Sequence, residues 1–181
     1  MTENGGDMNV TTYISLLTKR LELFNTIQRM KFGIWCLWPM INDFEIISFL
    51  DKMNGDGTGC YLKKELESIW NGKFDSDKLR SLSTCIKNID WDQDEIDEVD
   101  ESAAQGTMDL LGGISSLTYG YLDNSVEYIA NCAELIINRV SYLIDFEKLN
   151  EDALNIEFKN QEAILNIIYK NEDSLLSLKS R

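Results

Sequence analysis

The sequence predicts an all-α fold, arranged as a single-domain irregular bundle of seven to eight helices. Apolar residues recur at spacings of three and four along most of the chain, which is the period of a helix that buries one face. No convincing run alternates apolar and polar residues as a half-buried strand does. An apolar fraction of 44% and four tryptophans suffice for the core of one domain in a chain of 181 residues. We expect a flexible N-terminus over residues 1–9 and one helical domain over residues 10–181.

Two helices are predicted before the single proline of the chain. An apolar stripe over residues 13–28 predicts the first helix, with Thr11 or Thr12 as its N-cap. A second helix is predicted over residues 30–37. Its end is assigned to Pro39, which lacks a backbone N–H and disfavours helix at the residue before it.

The next three helices are bounded by capping residues and glycines. The asparagine and aspartate at positions 42 and 43 can each cap a third helix, whose apolar stripe begins with Phe44 and ends at the glycines of NGDGTG. The fourth helix, CYLKKELESIWNG, ends at its Asn-Gly pair. Asp75 or Ser76 then opens the fifth.

Three longer helices are predicted in the second half of the chain. The segment SAAQGTMDLLGGISSLTYGYL is rich in Gly, Ala and Ser, which suits a central helix packed closely among its neighbours. Behind Asn124 as a cap, apolar residues repeat at three and four from Val126 to Leu143. The last helix is predicted over residues 150–178.

The charge of the chain is concentrated in one segment. The formal net charge is −14, and residues 90–101, here called the acidic run, contain eight carboxylates and no Lys or Arg. Such a negative field repels nucleic acid and anionic membranes and attracts cationic proteins. We therefore expect a basic protein partner, with no binding to nucleic acid or to a membrane.

Three interpretations of the acidic run are open from sequence. It can be a solvated loop, a metal site or a surface that meets a partner. A metal site needs a fixed ligand spacing, which the run lacks. The interpretation as a partner surface is supported by Trp91, Ile96 and Val99, which are apolar residues set among the charges. The predicted partner-binding residues are Asp90, Trp91, Asp92, Asp94, Glu95, Asp97, Glu98, Asp100 and Glu101.

The stretch NGDGTGCYLKKE has the spacing of a calcium-binding EF-hand loop. Counted from Asn54 as position one, Asp56, Thr58 and Glu65 occupy positions three, five and twelve, and Gly59 occupies the sharp turn at position six. Only two of these candidate ligands are carboxylates, so such a site would bind calcium weakly. The competing interpretation is a glycine-rich connection between two helices.

Residue types that support catalysis are scarce. The chain has no histidine, which excludes His-dependent triads and zincin motifs. The carboxylate pairs Asp94 with Glu98 and Glu147 with Glu151 lie in polar surroundings and are interpreted as solvated charge. We expect no enzyme activity, no catalytic or metal-binding residues and no cofactor.

The cysteines and the hydropathy of the chain predict a cytoplasmic protein. The four cysteines form no C-x-x-C pair, and Cys36 and Cys132 fall in apolar stripes, as buried thiols do. Free thiols suit a reducing compartment, and the first ten residues lack a secretory signal. The longest apolar run, at residues 33–41, is far shorter than the roughly 20 residues of a membrane span.

Several segments, taken in chain order, are similar to one known family. They include KRLELFNTIQRMKFGIWC, FEIISF, GDGTGCYLKKELESIW, SVEYIANCAELI and EFKNQEAILNII. Together they resemble the YjaG-like bacterial family of unknown function over residues 18–178. The resemblance implies an all-helical domain without assigned catalytic residues, and it favours a structural turn at the candidate calcium loop. Its most specific positions are Arg20, Leu21, Glu22, Phe32, Cys36, Gly55, Asp56, Gly57, Ile69 and Trp70.

These features lead to two hypotheses of function. The first is a non-enzymatic acidic binding protein that neutralises a basic protein partner. Its most concrete form is an immunity protein that inhibits a bacterial contact-dependent or polymorphic nuclease toxin by occluding its active site. The alternative is a weak calcium-binding or regulatory helical domain of the YjaG-like family.

Overall fold

The computed structural model describes residues 9–89 and 100–170, and within these ranges the protein is built from helices without strands. The all-α prediction is confirmed, with the higher of the two expected numbers of helices in the described part of the chain. The helices are α1 (Val10–Leu21), α2 (Thr26–Ile41), α3 (Phe44–Asn54), α4 (Thr58–Trp70), α5 (Ser76–Lys87), α6 (Glu101–Leu122), α7 (Val126–Asp145) and α8 (Asp152–Tyr169).

The centre of the bundle is formed by α2, α6 and α7, which pack against one another. The predicted central position of α6 is confirmed, because buried residues occur along its whole length. Gly113 of α6 lies where an added Cβ would be only 2.2 Å from Leu37 Cδ2 of α2. The glycine therefore allows these two helices to approach closely.

The predicted single helix over residues 13–28 is wrong, because the chain turns between Leu21 and Thr26. Asn25 caps α2, and its side-chain Oδ1 accepts a hydrogen bond from Gln28 N at 2.9 Å. Gln28 Oε1 in turn accepts from Asn25 N at 3.0 Å. This reciprocal capping box starts a new helix at Thr26. The apolar stripe that is continuous in the sequence is therefore divided between α1 and α2. The N-cap of α1 is Asn9 instead of Thr11 or Thr12; residues 1–8 of the predicted flexible N-terminus lie outside the described residues.

The predicted end of α2 before Pro39 is also wrong, because Pro39 lies inside the last turn of the helix. Proline in a helix costs about 3 kcal/mol through a lost hydrogen bond and a steric clash. Here the two residues after it are buried, with Met40 1% and Ile41 2% exposed. Burial of two large apolar side chains, at about 2 kcal/mol each, offsets that cost.

The connections from α3 to α5 follow the predicted capping signals. Asp43 caps α3 and Asp75 caps α5 through their side-chain oxygens. Between α3 and α4 only residues 55–57 are non-helical, and the backbone φ angles of Gly55 and Gly57 are +97° and +92°. These angles favour glycine, so the turn is specified by its sequence.

In the second half of the chain, two helix ends differ from the prediction. Ser125 caps α7 instead of Asn124, which adopts a left-handed φ of +51°. The last helix begins at Asp152, and its described part ends at Tyr169. The predicted extension to residue 178 lies outside the described residues.

A buried polar network, here called the α1–α8 seam, joins α1 to α8. The Tyr13 hydroxyl donates a hydrogen bond to Gln161 Oε1 at 2.9 Å, and Gln161 Nε2 donates to Glu157 Oε1 at 2.9 Å. Gln161 is fully buried, and burial raises the pKa of the Tyr13 hydroxyl. The seam therefore holds its polar groups inside the bundle by pairing them with one another.

The described helices are too short or too polar to be membrane spans. None of those within residues 9–89 and 100–170 combines the length and the apolar character needed to cross a bilayer.

Candidate protein-binding surface at the start of α6

The predicted partner-binding segment is only partly described by the structure. Asp100 immediately precedes α6 and Glu101 is the first residue of that helix. The other predicted residues lie outside the described residues; they are Asp90, Trp91, Asp92, Asp94, Glu95, Asp97 and Glu98. The described part of the surface therefore consists of Asp100, Glu101 and the residues that surround them.

The described residues on either side of residues 90–99 lie toward opposite ends of α6. Just before the run, Lys87 Nζ lies 5.3 Å from the centre of the Tyr119 ring, and Ile89 packs against the core. Hydrogen bonds with Lys87 and Ser83 lower the pKa of the Tyr119 hydroxyl. At 1.5 Å per residue, about 27 Å of helix separate Tyr119 from Glu101, where the run ends.

A surface pocket of about 320 Å³ lies at the start of α6, and we call it the Phe44 pocket. Its residues come from α3, from the first turn of α6 and from the loop after α7. They are Phe44, Glu45, Ser48, Phe49, Lys52, Asp100, Ala103 and Lys148. Because Asp100 lines the pocket, the acidic run ends in its wall.

Phe44 is the most exposed large apolar residue among those described, at 82%. It was predicted to belong to the buried stripe of α3, but it is the first residue of that helix and projects to the surface. Phe49, one turn further along, is 4% exposed and packs with Ala103 and Ala104. The pocket therefore has one exposed aromatic wall and one buried aromatic wall.

Two ion pairs bring four charged side chains to this pocket. Lys52 Nζ lies 2.7 Å from Asp100 Oδ2, and the Lys52 side chain is 60% exposed. Lys148 Nζ lies 3.8 Å from Glu45 Oε2, and these side chains are 46% and 65% exposed. The second pair is long and well hydrated, so its carboxylate is available to other cations.

Beneath this surface, Arg139 of α7 is 3% exposed. Its Nη1 donates to the Ser102 carbonyl at 2.8 Å, and its Nη2 lies 4.0 Å from Asp43 Oδ2. Arg139 Nε has no hydrogen-bond partner among the described residues. An added Cβ on Gly106 would lie 3.0 Å from Arg139 Cζ, so the guanidinium packs directly against α6. A buried cation thus ties the start of α3 to the start of α6.

Asp109, two turns into α6, is a second buried charged group in this region. It is 9% exposed, and Gln105 Nε2 donates to its Oδ1 at 3.2 Å. Burial raises the pKa of the Asp109 carboxyl, against the opposing effects of the Gln105 hydrogen bond and the positive charge of Arg139. Neither Asp109 nor Arg139 is among the residues predicted from sequence to have a role; the signal that could have found them is a charged residue within an otherwise apolar helical segment.

The structure gives the candidate calcium loop a different geometry from an EF-hand. An EF-hand places its ligands along a loop of twelve residues. Here only residues 55–57 connect the two helices, so Thr58 already belongs to α4 and Glu65 lies two turns along it. The interpretation as a glycine-rich connection is therefore favoured.

The candidate calcium ligands also have partners elsewhere. Asn54 Nδ2 donates to the Leu50 carbonyl at 3.4 Å, and the Thr58 hydroxyl donates to the Gly55 carbonyl at 2.8 Å. Glu65 pairs with Lys78 at 3.2 Å. In the part of the chain that the structure describes, no three Cys, Asp or Glu side chains are grouped to hold a metal ion.

The remaining sequence candidates lie apart from the Phe44 pocket or outside the description. Cys36 and Cys132 are buried as predicted, and burial raises the pKa of the Cys132 thiol to about 12. Glu147 and Glu151 are both exposed, as expected for solvated charge, whereas Asp94 and Glu98 lie outside the described residues.

A larger pocket of about 560 Å³ lies at the opposite end of α6. Its described lining residues carry no charge. They are Thr26, Ile27, Gly72, Phe74, Tyr121 and Asn124. The Phe44 pocket is thus the smaller of the two but the one that combines charge with an exposed aromatic ring.

Comparison with known proteins adds a partial sequence similarity. No family model matches the chain, and no solved structure matches it. Among curated proteins, the chain is similar to the 17S U2 SnRNP complex component HTATSF1 of Mus musculus, with 32% identity over 85 residues. The match spans 45% of this chain and 11% of the mouse protein. With so small a share of that protein covered, the similarity assigns neither a family nor an activity.

Proposed function

We propose that the protein is a non-enzymatic binding protein that neutralises a cationic protein partner through the acidic run. The observation that carries the proposal is the concentration of eight carboxylates, without a single Lys or Arg, in residues 90–101. Charge of one sign accelerates encounter with an oppositely charged surface and suppresses like-charged partners. The partner is therefore a protein with a basic surface, and not a nucleic acid or an anionic membrane.

The most concrete form of this proposal is a cytoplasmic immunity protein for a nuclease toxin. A nuclease grips the phosphates of its substrate with a cationic surface. Carboxylates of the acidic run would occupy that surface, and apolar residues of the run, such as Trp91, would hold the complex. Inhibition then needs no chemistry, because the substrate is excluded from the toxin.

Charge reversal tests whether the acidic run is the binding surface. The variant replaces Asp92, Asp94, Asp97 and Glu98 by Lys, and an octalysine peptide is titrated calorimetrically between about 50 and 200 mM salt. Four lost attractions and four new repulsions, at about 0.5–1 kcal/mol each, lower the affinity by about 1,000-fold or more. The salt dependence of binding should flatten as well.

A second quadruple variant controls for net charge. It replaces four exposed acids far from the run in sequence and has the same total charge as the first; they are Glu67, Asp77, Asp123 and Glu151. We expect it to retain most of the affinity. Equal losses in the two variants would show that only bulk charge matters, and absence of octalysine binding to the natural protein at low salt would refute the proposal.

The immunity hypothesis has its own test. The protein encoded beside this gene is expressed with and without the present protein, and its nuclease activity and toxicity are measured. The expected result is protection by the natural protein and lost protection by the quadruple variant of the run. A neighbouring product that lacks nuclease activity, or that is not inhibited, would contradict this form of the proposal while leaving cation binding to be judged by calorimetry.

A further inference from the structure

The exposure of Phe44 calls for a physical reason. A fully hydrated aromatic ring forgoes about 2 kcal/mol of burial energy, and a helix that is capped by Asp43 does not need an aromatic first residue. The ring stands 82% exposed at the pocket that the acidic run enters through Asp100. We propose that the Phe44 pocket receives an arginine side chain of the cationic partner, an inference that rests on the function proposed above.

The pocket offers both features that a guanidinium group uses. Its flat cationic face stacks on an aromatic ring, which the exposed Phe44 supplies. Its N–H groups donate to carboxylates, and Glu45 and Asp100 both line the same pocket. A guanidinium within the pocket therefore meets a ring face and a carboxylate together.

An arginine of the partner can replace the lysine that now contacts Glu45. The Glu45 carboxylate is 3.8 Å from Lys148 Nζ and 65% exposed, so it is not held by a tight pair. Lys52 is 60% exposed and Lys148 is 46% exposed, and both stand on flexible stems that reach solvent. An incoming guanidinium that binds Glu45 replaces the long contact with Lys148 instead of breaking a buried pair.

Arginine fits this pocket better than lysine does. A lysine ammonium is a compact and strongly hydrated charge, so it gains less from a ring face and cannot form a planar two-bond contact with a carboxylate. Arginine is also enriched among the residues that dominate interface energies. The acidic run attracts both cations through charge, whereas the Phe44 pocket discriminates between them through shape.

The proposed arginine site also lies next to the described end of the acidic run. Lys87, three residues before the run, contacts Tyr119 of α6, whereas Asp100 lines the Phe44 pocket at the start of that helix. A basic protein surface that binds Asp100 and Glu101 therefore lies beside this pocket. One arginine docked there fixes the register of the remaining contacts.

Calorimetric titration with octaarginine and octalysine peptides tests the inference. The natural protein should bind octaarginine about three- to fivefold more tightly than octalysine. Phe44→Ala should remove this preference and leave octalysine affinity unchanged. Phe44→Leu, which keeps an apolar side chain but has no aromatic face, should also lose it.

Two further variants complete the design. Leu23→Ala truncates another exposed apolar side chain, 71% exposed and in the turn between α1 and α2, and should leave both affinities unchanged. Lys148→Met removes the competing ammonium from Glu45 and should strengthen octaarginine binding about twofold.

The outcomes separate this inference from the proposed function. Equal affinity for the two peptides, or a preference for octaarginine that survives Phe44→Ala, overturns the arginine site. If binding in that case still depends on the acidic run, the proposed function stands without it. If the natural protein binds neither peptide at low salt, both the function and the site are refuted.

Discussion

The α1–α8 seam and the Phe44 pocket differ in how far their polar groups are buried and paired. In the seam, Tyr13, Gln161 and Glu157 are buried and joined to one another by hydrogen bonds of 2.9 Å. Around the Phe44 pocket the ion pairs are exposed, Glu45 lies 3.8 Å from its cation, and Arg139 Nε beneath has no partner among the described residues.

This difference separates a region that builds the fold from one that is available for binding. Satisfied buried networks fix a unique packing, whereas incompletely paired charges at a surface can exchange partners. Substitutions in the seam should therefore change stability without changing cation binding, and substitution of the exposed pocket residue Phe44 should do the reverse.

The largest expected effect among substitutions of polar residues comes from Gln161→Leu in the seam. The change leaves the buried Tyr13 hydroxyl without its acceptor, and we expect the free energy of unfolding to fall by about 2–3 kcal/mol. Urea unfolding followed by circular dichroism measures it. Octalysine affinity should stay unchanged under conditions where the variant is folded.

The double variant Tyr13→Phe with Gln161→Leu serves as the control. Removing the orphaned hydroxyl should restore about 1 kcal/mol relative to Gln161→Leu alone. Strictly additive losses would mean that the two side chains do not act as one network.

A smaller effect is expected from Asp109→Asn near the start of α6. Burial raises the pKa of the Asp109 carboxyl above its ordinary value of 3.8, so the native state keeps this proton at a pH where the unfolded chain has lost it. Stability then decreases as pH rises from 3.8 through the raised native pKa, and the loss persists at neutral pH.

Asparagine cannot ionise, so Asp109→Asn should raise the melting temperature at pH 7 by a small amount. The gain should shrink as the pH falls through the same interval and vanish below pH 3.8. Thermal unfolding measured across this pH range checks the prediction. A variant that is less stable at pH 7 would show that interactions with neighbouring residues outweigh the cost of burying the Asp109 carboxylate.

The smallest expected effect on stability belongs to Phe44→Ala. Because the ring is 82% exposed, its loss should change the free energy of unfolding by no more than about 0.5 kcal/mol. Phe49→Ala, at a position that is 4% exposed in the same pocket, is the contrasting variant and should destabilise clearly. Similar losses in the two variants would mean that Phe44 belongs to the fold and not to a binding surface.

Most of the fold could be predicted from local signals in the sequence. The capping aspartates Asp43 and Asp75, the glycines between α3 and α4, and the repeat after Val126 all place helices correctly. The predicted helix ends were wrong where tertiary burial or reciprocal capping outweighed the local helix propensity of the sequence. Burial of Met40 and Ile41 carries α2 past Pro39, and the Asn25 capping box divides a continuous apolar stripe.

The candidate site was less predictable, because it depends on residues far apart in the sequence. The acidic run is visible in composition alone, but the Phe44 pocket combines α3, α6 and Lys148. Periodicity assigned Phe44 to the buried face, since spacing cannot show that the first residue of a helix projects beyond its neighbours. Arg139 contacts Ser102 across 37 positions, a pairing that no local pattern contains.

The α1–α8 seam also sets an order for folding during synthesis. The Tyr13 hydroxyl and Gln161 are separated by 148 positions. At about 5–20 residues per second, a ribosome adds those residues in roughly 7–30 s. During that interval the inner face of α1, with Tyr13 and Leu17, has no α8 to pack against. The bundle is therefore completed only late in the synthesis of each chain.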